Sequence, residues 1–431
     1  MVSRAFFLLA MAAALAGTTA AADWPQWRGP NRDGISAEKG VAKPWPSDGP
    51  KLLWTIDKLE TVGTGYGSPA VVGDKLYVLG ADGAKKDAKE SCTCLNVKDG
   101  TVVWQKPLET TPGSFSDGWG GGTRSTPTVD GDLLFALGST GDLVCLATKD
   151  GEVKWRKNLV KDFGGKIPNW GYSESPLVDG ENVVVTPGAK GGVVALNKKT
   201  GEKVWQTAGM TDGAGYSSLV PFEVGGVRQY AQQTMSHGIG VRASDGKLLW
   251  SVGEIKRATA VIPTPVVDGN VVFFTSGYGA GCEAFKLEPD GDGTKAEKIY
   301  SKNSVVQNHH GGVIRVGDKV YGHSDKTGWV CFDFKTGPDE PVWANKKFGK
   351  GSITYADGEF YCYAEGKGEL VRIKATDKGW EETGKLTIPS TSPLRKPTSG
   401  KVWAHPVVAN GKLFLRDFEL LFCYDLANPG S

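Results

Sequence analysis

Histidine is scarce in this chain, and it is a residue type that can bind a metal, move a proton or pair with an anion. The 431 residues include five histidines, which are His237, His309, His310, His323 and His405. Each stands at the beginning or the end of a predicted strand, and neither an H-x-H nor an H-E-x-x-H spacing occurs. The clustering therefore indicates a site for an anionic ligand or a metal, and spacing does not choose between them.

Other chemically active side chains fall at the same kind of position. Arg124 and Glu174 stand where the equivalent segments carry Ser or Thr, and the aromatic, Gly-rich stretch 163–170 leads up to Glu174. A turn at Asn410-Gly411 places Arg416 opposite His405 in a hairpin. The alternative is that these groups are simply hydrated at a polar channel mouth. We predict a ligand-binding rim, with no catalytic residue assigned and metal binding left open, that consists of Arg124, Trp170, Tyr172, Glu174, His237, His309, His310, His323, His405 and Arg416.

The segments that must position these residues are eight predicted hairpins. Each is an apolar strand, a Gly-containing tight turn and a second apolar strand, as in Pro127-Thr-Val-Asp-Gly-Asp132 and Pro265-Val-Val-Asp-Gly-Asn270. A second repeated feature is an Asp-Gly or Thr-Gly turn with Trp five residues after its first member. This feature ends at Trp104, Trp155, Trp205 and Trp250. Units that recur along the chain at the spacing of these four Trp residues predict a solenoid or a propeller.

The two ends of the repeated region favour the propeller. After the eighth hairpin, residues 420–425 supply a third strand, and the missing Trp strand occurs near the start as Lys51-Leu-Leu-Trp54. A sheet completed from the other terminus closes a ring, whereas a solenoid needs capping units. We predict an all-β, eight-bladed β-propeller of four-stranded antiparallel blades. The rim is then the end of the ring where first strands begin and second strands end, and the repeated Trp packs blade against blade.

The N-terminal region and the charge balance bear on location. Arg4, an apolar run over 6–16 and the small residues to Ala22 predict a signal peptide over 1–22, followed by a leader at 23–50 and the propeller at 51–431. We expect a periplasmic or secreted protein, not a lipoprotein, because no Cys follows the small residues. The formal net charge of +2 gives no basic stripe for nucleic acid, and no later run is long enough to span a bilayer.

The seven cysteines fit small buried positions better than disulfides. Cys94, Cys145, Cys331 and Cys423 occupy equivalent places in their repeats, where other repeats carry Ala or Gly. A free thiol behaves there as a small hydrophobic group. Cys92 lies two residues before Cys94 on the same face of one strand. The sequence leaves open whether these two cysteines are oxidised.

With these motifs in place, the chain resembles the quinoprotein-type (PQQ-like) propeller repeat. The resemblance rests on the Asp/Thr-Gly-x-x-x-Trp unit and on the segment Asp23-Trp-Pro-Gln-Trp-Arg-Gly-Pro-Asn-Arg-Asp-Gly-Ile-Ser36, which is similar to the leader of a group of secreted PQQ-like proteins. One branch, the quinoprotein dehydrogenases, holds PQQ and calcium at the centre of eight blades. That resemblance would make Glu174 a calcium ligand and Arg124 a partner for PQQ carboxylates, although no adjacent cysteines and no C-x-x-C-H motif occur.

The other branch resembles the BamB-like propellers of outer-membrane assembly, which are scaffolds that hold partner proteins with rim loops. We therefore expect an exported propeller that binds a protein or small ligand through one polar rim, without catalysis, and that is a monomer. The alternative is a PQQ- and calcium-dependent alcohol or sugar dehydrogenase. No cofactor is assigned under the first hypothesis, and the ligand or partner is not identified by the sequence.

Overall fold

The structure, a computed structural model, describes residues 22–253, 255–395 and 400–430. The signal peptide predicted at 1–22 therefore lies outside the described residues except for Ala22. Within them, eight separate four-stranded antiparallel sheets follow one another along the chain, and one of these sheets gains a fifth strand from the leader. The sheets are the eight blades of a β-propeller, which confirms the predicted fold. No helix in the described part of the chain is long and apolar enough to cross a membrane.

Nearly all of the regular structure is β-strand. The elements ahead of blade one are β1 (Ile35–Ser36), β2 (Leu52–Ile56) and the short helix α1 (Leu59–Val62). Blades one to four contain β3 (Ala70–Val72), β4 (Lys75–Ala81), β5 (Glu90–Asn96) and β6 (Val102–Pro107); β7 (Thr128–Asp130), β8 (Leu133–Leu137), β9 (Asp142–Ala147) and β10 (Val153–Asn158); β11 (Leu177–Asp179), β12 (Asn182–Val185), β13 (Val194–Asn197) and β14 (Lys203–Gln206), with a 3₁₀ turn at Ala189–Gly191; and β15 (Val220–Val224), β16 (Val227–Gln233), β17 (Gly238–Arg242) and β18 (Leu248–Val252).

Blades five to eight follow the same order. They contain β19 (Val266–Asp268), β20 (Val271–Ser276), β21 (Gly281–Asp290) and β22 (Gly293–Lys302); β23 (Val313–Val316), β24 (Lys319–Ser324), β25 (Gly328–Asp333) and β26 (Trp343–Asn345); β27 (Gly351–Ala356), β28 (Glu359–Ala364), β29 (Glu369–Lys374) and β30 (Glu382–Thr387); and β31 (Val407–Ala409), β32 (Lys412–Asp417) and β33 (Leu420–Asp425). First strands of neighbouring blades contact one another, as β3 does β7 and β19 does β23, so the first strands line the axis.

The last blade is completed by the N-terminal strand β2. Leu52 pairs with Tyr424 and Trp54 with Cys423, so the sheet order is β2-β33-β32-β31. This is the predicted closure of the ring by a strand near Lys51–Trp54. Because the two ends of the ring share one sheet, each blade has a neighbour on both faces, and the second and third strands are buried on both.

The repeated Trp joins neighbouring blades at four places in the ring, which agrees with the predicted blade-to-blade packing. Trp104 at the outer strand of blade one donates its indole N–H to the carbonyl of Thr148 in blade two, at 3.0 Å. Its ring lies against Gly151 of the following Asp-Gly turn, where a Cβ would come within 2.8 Å of the indole. Gly151 also has φ of 71°, which favours glycine. The same indole-to-carbonyl bond recurs from Trp54 to Val97, from Trp155 to Lys198 and from Trp205 to Ala243.

The seven cysteines are all buried and free. This outcome confirms the prediction of small buried thiols, and it includes Cys92 and Cys94, which are not bridged to each other. Burial raises the pKa of the Cys94 thiol to about 11 and raises that of Cys92 further. The cysteines are therefore protonated core side chains at neutral pH.

The leader lies inside the ring rather than outside it. Trp24 exchanges two backbone hydrogen bonds with Val71 of blade one, at 2.7 and 2.8 Å. Arg28 donates to the carbonyl of Val313 in blade six at 2.6 Å, and β1 pairs in parallel with β27 of blade seven. Residues Asp23–Ser36, which we call the leader clasp, thus connect strands that lie hundreds of residues apart in the sequence.

Arg32 holds the clasp to blade three. Its guanidinium donates to the carbonyls of Ser175 at 2.6 Å and Pro176 at 3.0 Å, and to Oε1 of Gln26 at 2.9 Å. The side chain is 1% exposed, and burial lowers its pKa to about 10 even though Glu174 opposes the shift. Arg32 therefore remains a cation, and its charge is stabilised mainly by hydrogen bonds to backbone carbonyls.

Candidate functional site

A cavity of about 320 Å³ lies at the rim end of the channel. Its walls are built mainly from residues just ahead of the first strands, which come from seven of the eight blades and from the leader clasp. We call it the aromatic cavity, and its lining residues are Trp27, Tyr66, Trp119, Arg124, Trp170, Ser173, Tyr216, Ser218, Ala260, Ile262, Tyr278, His309, His310, Gly311, Trp403 and His405.

Aromatic rings form most of the wall, and they contact one another at tilted or edge-on angles. The ring centroids of Tyr66 and Trp403 are 4.9 Å apart, and those of Trp170 and Tyr216 are 5.7 Å apart. Tilted packing of this kind holds rings in fixed orientations. The wall therefore offers rigid apolar surfaces, while Trp119 stands 45% exposed at the mouth.

Arg124 is the one guanidinium among the lining residues. It donates to the carbonyls of Gly120 at 2.9 Å and Gly122 at 3.0 Å, and its central carbon lies 5.2 Å from the centroid of the Tyr66 ring. Burial lowers its pKa below the usual range, and nearby tyrosines and Glu90 oppose that shift. The cation is thus positioned by backbone and ring contacts, and no carboxylate from the lining pairs with it.

His309 joins Tyr278 at the mouth to a charge pair behind the wall. Its Nδ1 lies 2.6 Å from Nζ of Lys350, which forms an ion pair with Asp325 at 2.7 Å. Its Nε2 lies 2.7 Å from the Tyr278 hydroxyl. Burial, with the Lys350 charge, lowers the pKa of His309 to about 4, so the ring is neutral at pH 7. An ammonium group can only donate, so Nδ1 accepts and Nε2–H donates to the Tyr278 oxygen.

His310 makes a short hydrogen bond with Glu365 in the same wall. Its Nε2 is 2.6 Å from the carboxylate, which also accepts the indole N–H of Trp403 at 3.2 Å. Burial opposes ionisation of Glu365, but the hydrogen bond and charge of His310, together with Lys350, lower its pKa to about 2. The carboxylate is therefore ionised, and it is engaged by the wall instead of lining the cavity.

The floor of the cavity comes from the leader clasp. The Trp27 ring packs edge-on against His405 with centroids 4.6 Å apart, and its indole N–H donates to Thr264 at 2.9 Å. Burial lowers the pKa of His405 well below its usual value, and Arg28 adds to the effect. His405 is thus a neutral, buried ring that supports the floor.

Five of the ten predicted rim residues line the cavity, which are Arg124, Trp170, His309, His310 and His405. The others lie elsewhere. Tyr172 is buried and donates to the Pro187 carbonyl at 2.8 Å. Arg416 is also buried, and it donates to the carbonyls of Gly67 at 2.7 Å and Gly63 at 3.1 Å.

Glu174, His237 and His323 also point away from the cavity. The Glu174 carboxylate accepts from the backbone N–H of Thr186 at 2.6 Å and from Gln232 at 3.0 Å, and burial raises its pKa to about 7. His237 is bonded to Asp212 at 2.7 Å. His323 packs edge-on against Trp329, with ring centroids 5.5 Å apart, and burial lowers its pKa to about 4.

Six of the seven aromatic side chains that line the cavity were not among the predicted site residues. Those missed are Trp27, Tyr66, Trp119, Tyr216, Tyr278 and Trp403. Tyr66, Tyr216 and Trp403 stand close to first strands, at positions where the predicted site residues were chosen as charged departures from Ser or Thr. An aromatic residue recurring at that place in three blades was the available signal. Trp27 carried none, because nothing in the leader sequence shows that it folds into the channel.

Comparison with known proteins identifies the family. The family described as outer membrane protein assembly factor BamB matches residues 88–345, which is more than half of the chain. The chain belongs to this family. An outer membrane protein assembly factor BamB of Burkholderia pseudomallei is 27% identical over 191 residues, which cover 36% of this chain and 47% of that protein. The chain spans under half the length of the first curated relatives that it matches.

Solved structures agree on the fold of this BamB-family propeller. BamB from Moraxella catarrhalis has a TM-score of 0.59 at 15% identity, over 87% of this chain and 97% of that one. A quinohemoprotein alcohol dehydrogenase from Comamonas testosteroni has a TM-score of 0.61 at 12% identity, over 95% of this chain and 81% of that one. At such identities the likeness concerns the propeller fold alone.

The side chains of the cavity do not fit a calcium–PQQ pair. Calcium takes oxygen ligands, usually carboxylates, and none of the described residues that line the cavity is Asp or Glu. Glu174, the residue offered as a calcium ligand, is committed to Thr186 and Gln232. Over the described residues, no three His, Cys, Asp or Glu side chains converge in a way that could hold a metal ion.

Proposed function

We propose that this BamB-family chain is an exported, non-catalytic binding propeller that holds a ligand, or a protruding part of a protein partner, in the aromatic cavity. The observation that carries the proposal is the convergence of seven aromatic side chains, Arg124 and three imidazoles on one cavity of about 320 Å³. A concave, mostly apolar pocket with a few polar groups is the usual form of a small-molecule site. Folding alone does not require so many large rings at a channel mouth.

Two further observations support a partner at the cell envelope. The relatives are named as outer membrane protein assembly factors, and we extend to this chain the expectation of a protein partner outside the cytoplasm. The signal peptide predicted at 1–22 would deliver the chain there. A partner would dock at the rim, where Trp119 and Tyr278 are 45% and 47% exposed, and insert one group into the cavity.

A filled-cavity variant tests the proposal. Ser173 lines the cavity and is partly exposed, so Ser173→Trp places a large ring in the binding space. Lys199→Trp adds the same ring on an outer turn of blade three, where the side chain is 66% exposed, and serves as the matched control. Saturation-transfer NMR against a panel of ring compounds should show binding to the wild type and to Lys199→Trp, and little binding to Ser173→Trp.

Equal binding by all three proteins, or by none, would contradict the proposal. Circular dichroism and the melting temperature of each variant establish that the fold is intact. A separate arm adds PQQ with Ca²⁺ and a dye-linked assay for alcohol or sugar oxidation. Saturable quinone binding with turnover would overturn the non-catalytic part of the proposal and establish the dehydrogenase alternative.

A further inference from the structure

We infer that the aromatic cavity selects an organic anion with a flat ring body, and that it binds this anion without a metal ion. The inference rests on the proposed function, because it names the ligand class of the same cavity. Four properties of the wall carry it, which are its charge, its donors, its unmet hydrogen bonds and its shape.

The charge of the lining favours an anion over a cation. Arg124 contributes a guanidinium, and none of the lining residues is acidic. Two carboxylates outside the lining act on the wall. Glu365 is bonded to His310 and Trp403, and buried Glu90, which acts on the Arg124 charge, accepts from the backbone N–H of Ser139. A cage of aromatic rings alone would be expected to bind a cation. The Arg124 guanidinium in the same wall repels a cationic ligand. Arginine pairs instead with carboxylates and related oxyanions.

The hydrogen-bonding groups of the lining favour an acceptor-rich ligand over a sugar. Sugar hydroxyls need acceptors as well as donors, and the lining within the described part of the chain contains no Asp, Glu, Asn or Gln side chain. Tyr278, in contrast, is left with a free proton. Because His309 Nε2–H donates to its oxygen at 2.7 Å, the Tyr278 O–H is available to donate to a ligand. The wall thus presents Arg124 and Tyr278 as donors.

Two buried polar atoms of lining residues have no hydrogen-bond partner in the described part of the chain. They are Nδ1 of His310 and Oγ of Ser173, and His310 is 4% exposed. An unmet buried polar group is costly, and native proteins contain few of them. The Ser173 hydroxyl can rotate about its Cα–Cβ bond to meet a ligand, whereas the His310 ring is held by its bond to Glu365. Ser173 thus gives the ligand a polar group to recognise.

The remaining surface is shaped for a ring. Trp170, Tyr216, Tyr66 and Trp403 form two pairs of tilted rings around the space, and a volume of about 320 Å³ is at the lower end of the range for small-molecule pockets. A bicyclic aromatic body fills such a space and contacts the ring faces. The anionic group then lies towards Arg124.

The test uses three probes of nearly equal shape, 2-naphthoate, 2-naphthamide and 2-naphthylmethylammonium, titrated by calorimetry in the presence of EDTA. We expect 2-naphthoate to bind roughly tenfold or more tightly than the other two, which is the factor that one charge-assisted hydrogen bond supplies. Arg124→Met should remove this preference. Tyr278→Phe should weaken 2-naphthoate binding several-fold, while Tyr424→Phe, which removes a buried, unpartnered hydroxyl outside the cavity, should leave it unchanged.

The outcomes separate this inference from the proposed function. If the three probes bind equally well to the wild type and are lost in Ser173→Trp, the cavity is a binding site but the anion inference is wrong. If 2-naphthoate binds only after Ca²⁺ replaces EDTA, the metal-free part is wrong. If no probe binds, both fail. The comparison of probes on the wild type needs no variant, so it decides even if Arg124→Met does not fold.

Discussion

Replacing Arg32 by alanine would remove the guanidinium that holds the leader clasp inside the ring. Arg32 is 1% exposed and donates to the carbonyls of Ser175 and Pro176 at 2.6 and 3.0 Å. Each hydrogen bond to a buried charged group is worth about 1.5–3 kcal/mol, and relief of the desolvation penalty offsets part of that. We therefore expect Arg32→Ala to lower the free energy of unfolding by about 3 kcal/mol.

The assay is urea unfolding followed by far-UV circular dichroism. With an m-value of about 3 kcal/mol per molar urea, the loss moves the midpoint by about 1 M. The control is Arg228→Ala, which removes an arginine that pairs with Asp179 at 3.0 Å but is 45% exposed, so its cost should stay below about 1 kcal/mol. Limited proteolysis should cut near the clasp earlier in Arg32→Ala. Equal midpoints and equal cleavage in the two variants would refute the described docking of the leader.

Three further predictions concern the blades. Gly151→Ala should destabilise the fold by about 1–3 kcal/mol in thermal unfolding, because the new Cβ would clash with the Trp104 ring and because φ of 71° is unfavourable for alanine. Gly131→Ala is the control, since its φ of 56° is similar but its Cβ would meet nothing within 4 Å, so it should cost less. Equal losses in the two variants would count against the Trp–Gly contact. None of the seven thiols should react with Ellman's reagent in the native protein and all seven should react in guanidinium; rapid native labelling would contradict their burial. The folded-state pKa of His323 is about 4, below the unfolded value of about 6.5, so its contribution is present above pH 6.5 and is lost as the pH falls towards 4. The stability difference between wild type and His323→Gln should therefore shrink over that window by about 1–3 kcal/mol, and a difference independent of pH would show that His323 is not a partly buried, neutral ring.

The ring itself could be predicted because its signals are local and repeated. Tight Gly turns such as the one at Gly131, with φ of 56°, are visible in the sequence. The Trp spacing is also visible, and the contact between an indole and the next turn glycine, as between Trp104 and Gly151, recurs for Trp155 and Trp205. Even the closing strand β2 was recognisable, since it carries the Trp that the last blade lacks.

The site was only half predictable because side-chain direction alternates along an extended segment. Ser173 lines the cavity, whereas Tyr172 and Glu174 on either side of it point into the wall. In this segment the charge of Glu174 therefore identified the right stretch of chain but not the right side chain. The floor could not be predicted at all, because Trp27 reaches the cavity through contacts such as that with Thr264, 237 residues away.

The most direct test of the binding account is ¹⁹F NMR of the protein labelled with 5-fluorotryptophan. The chain has 14 tryptophans, of which Trp27, Trp119, Trp170 and Trp403 line the cavity, and single Trp→Phe variants assign the signals. Titration with the ring compound that binds most tightly should shift these four signals and leave those of Trp104 and Trp155, which join blades, in place. Shifts confined to the blade-joining tryptophans would contradict the assignment of the cavity as the binding site.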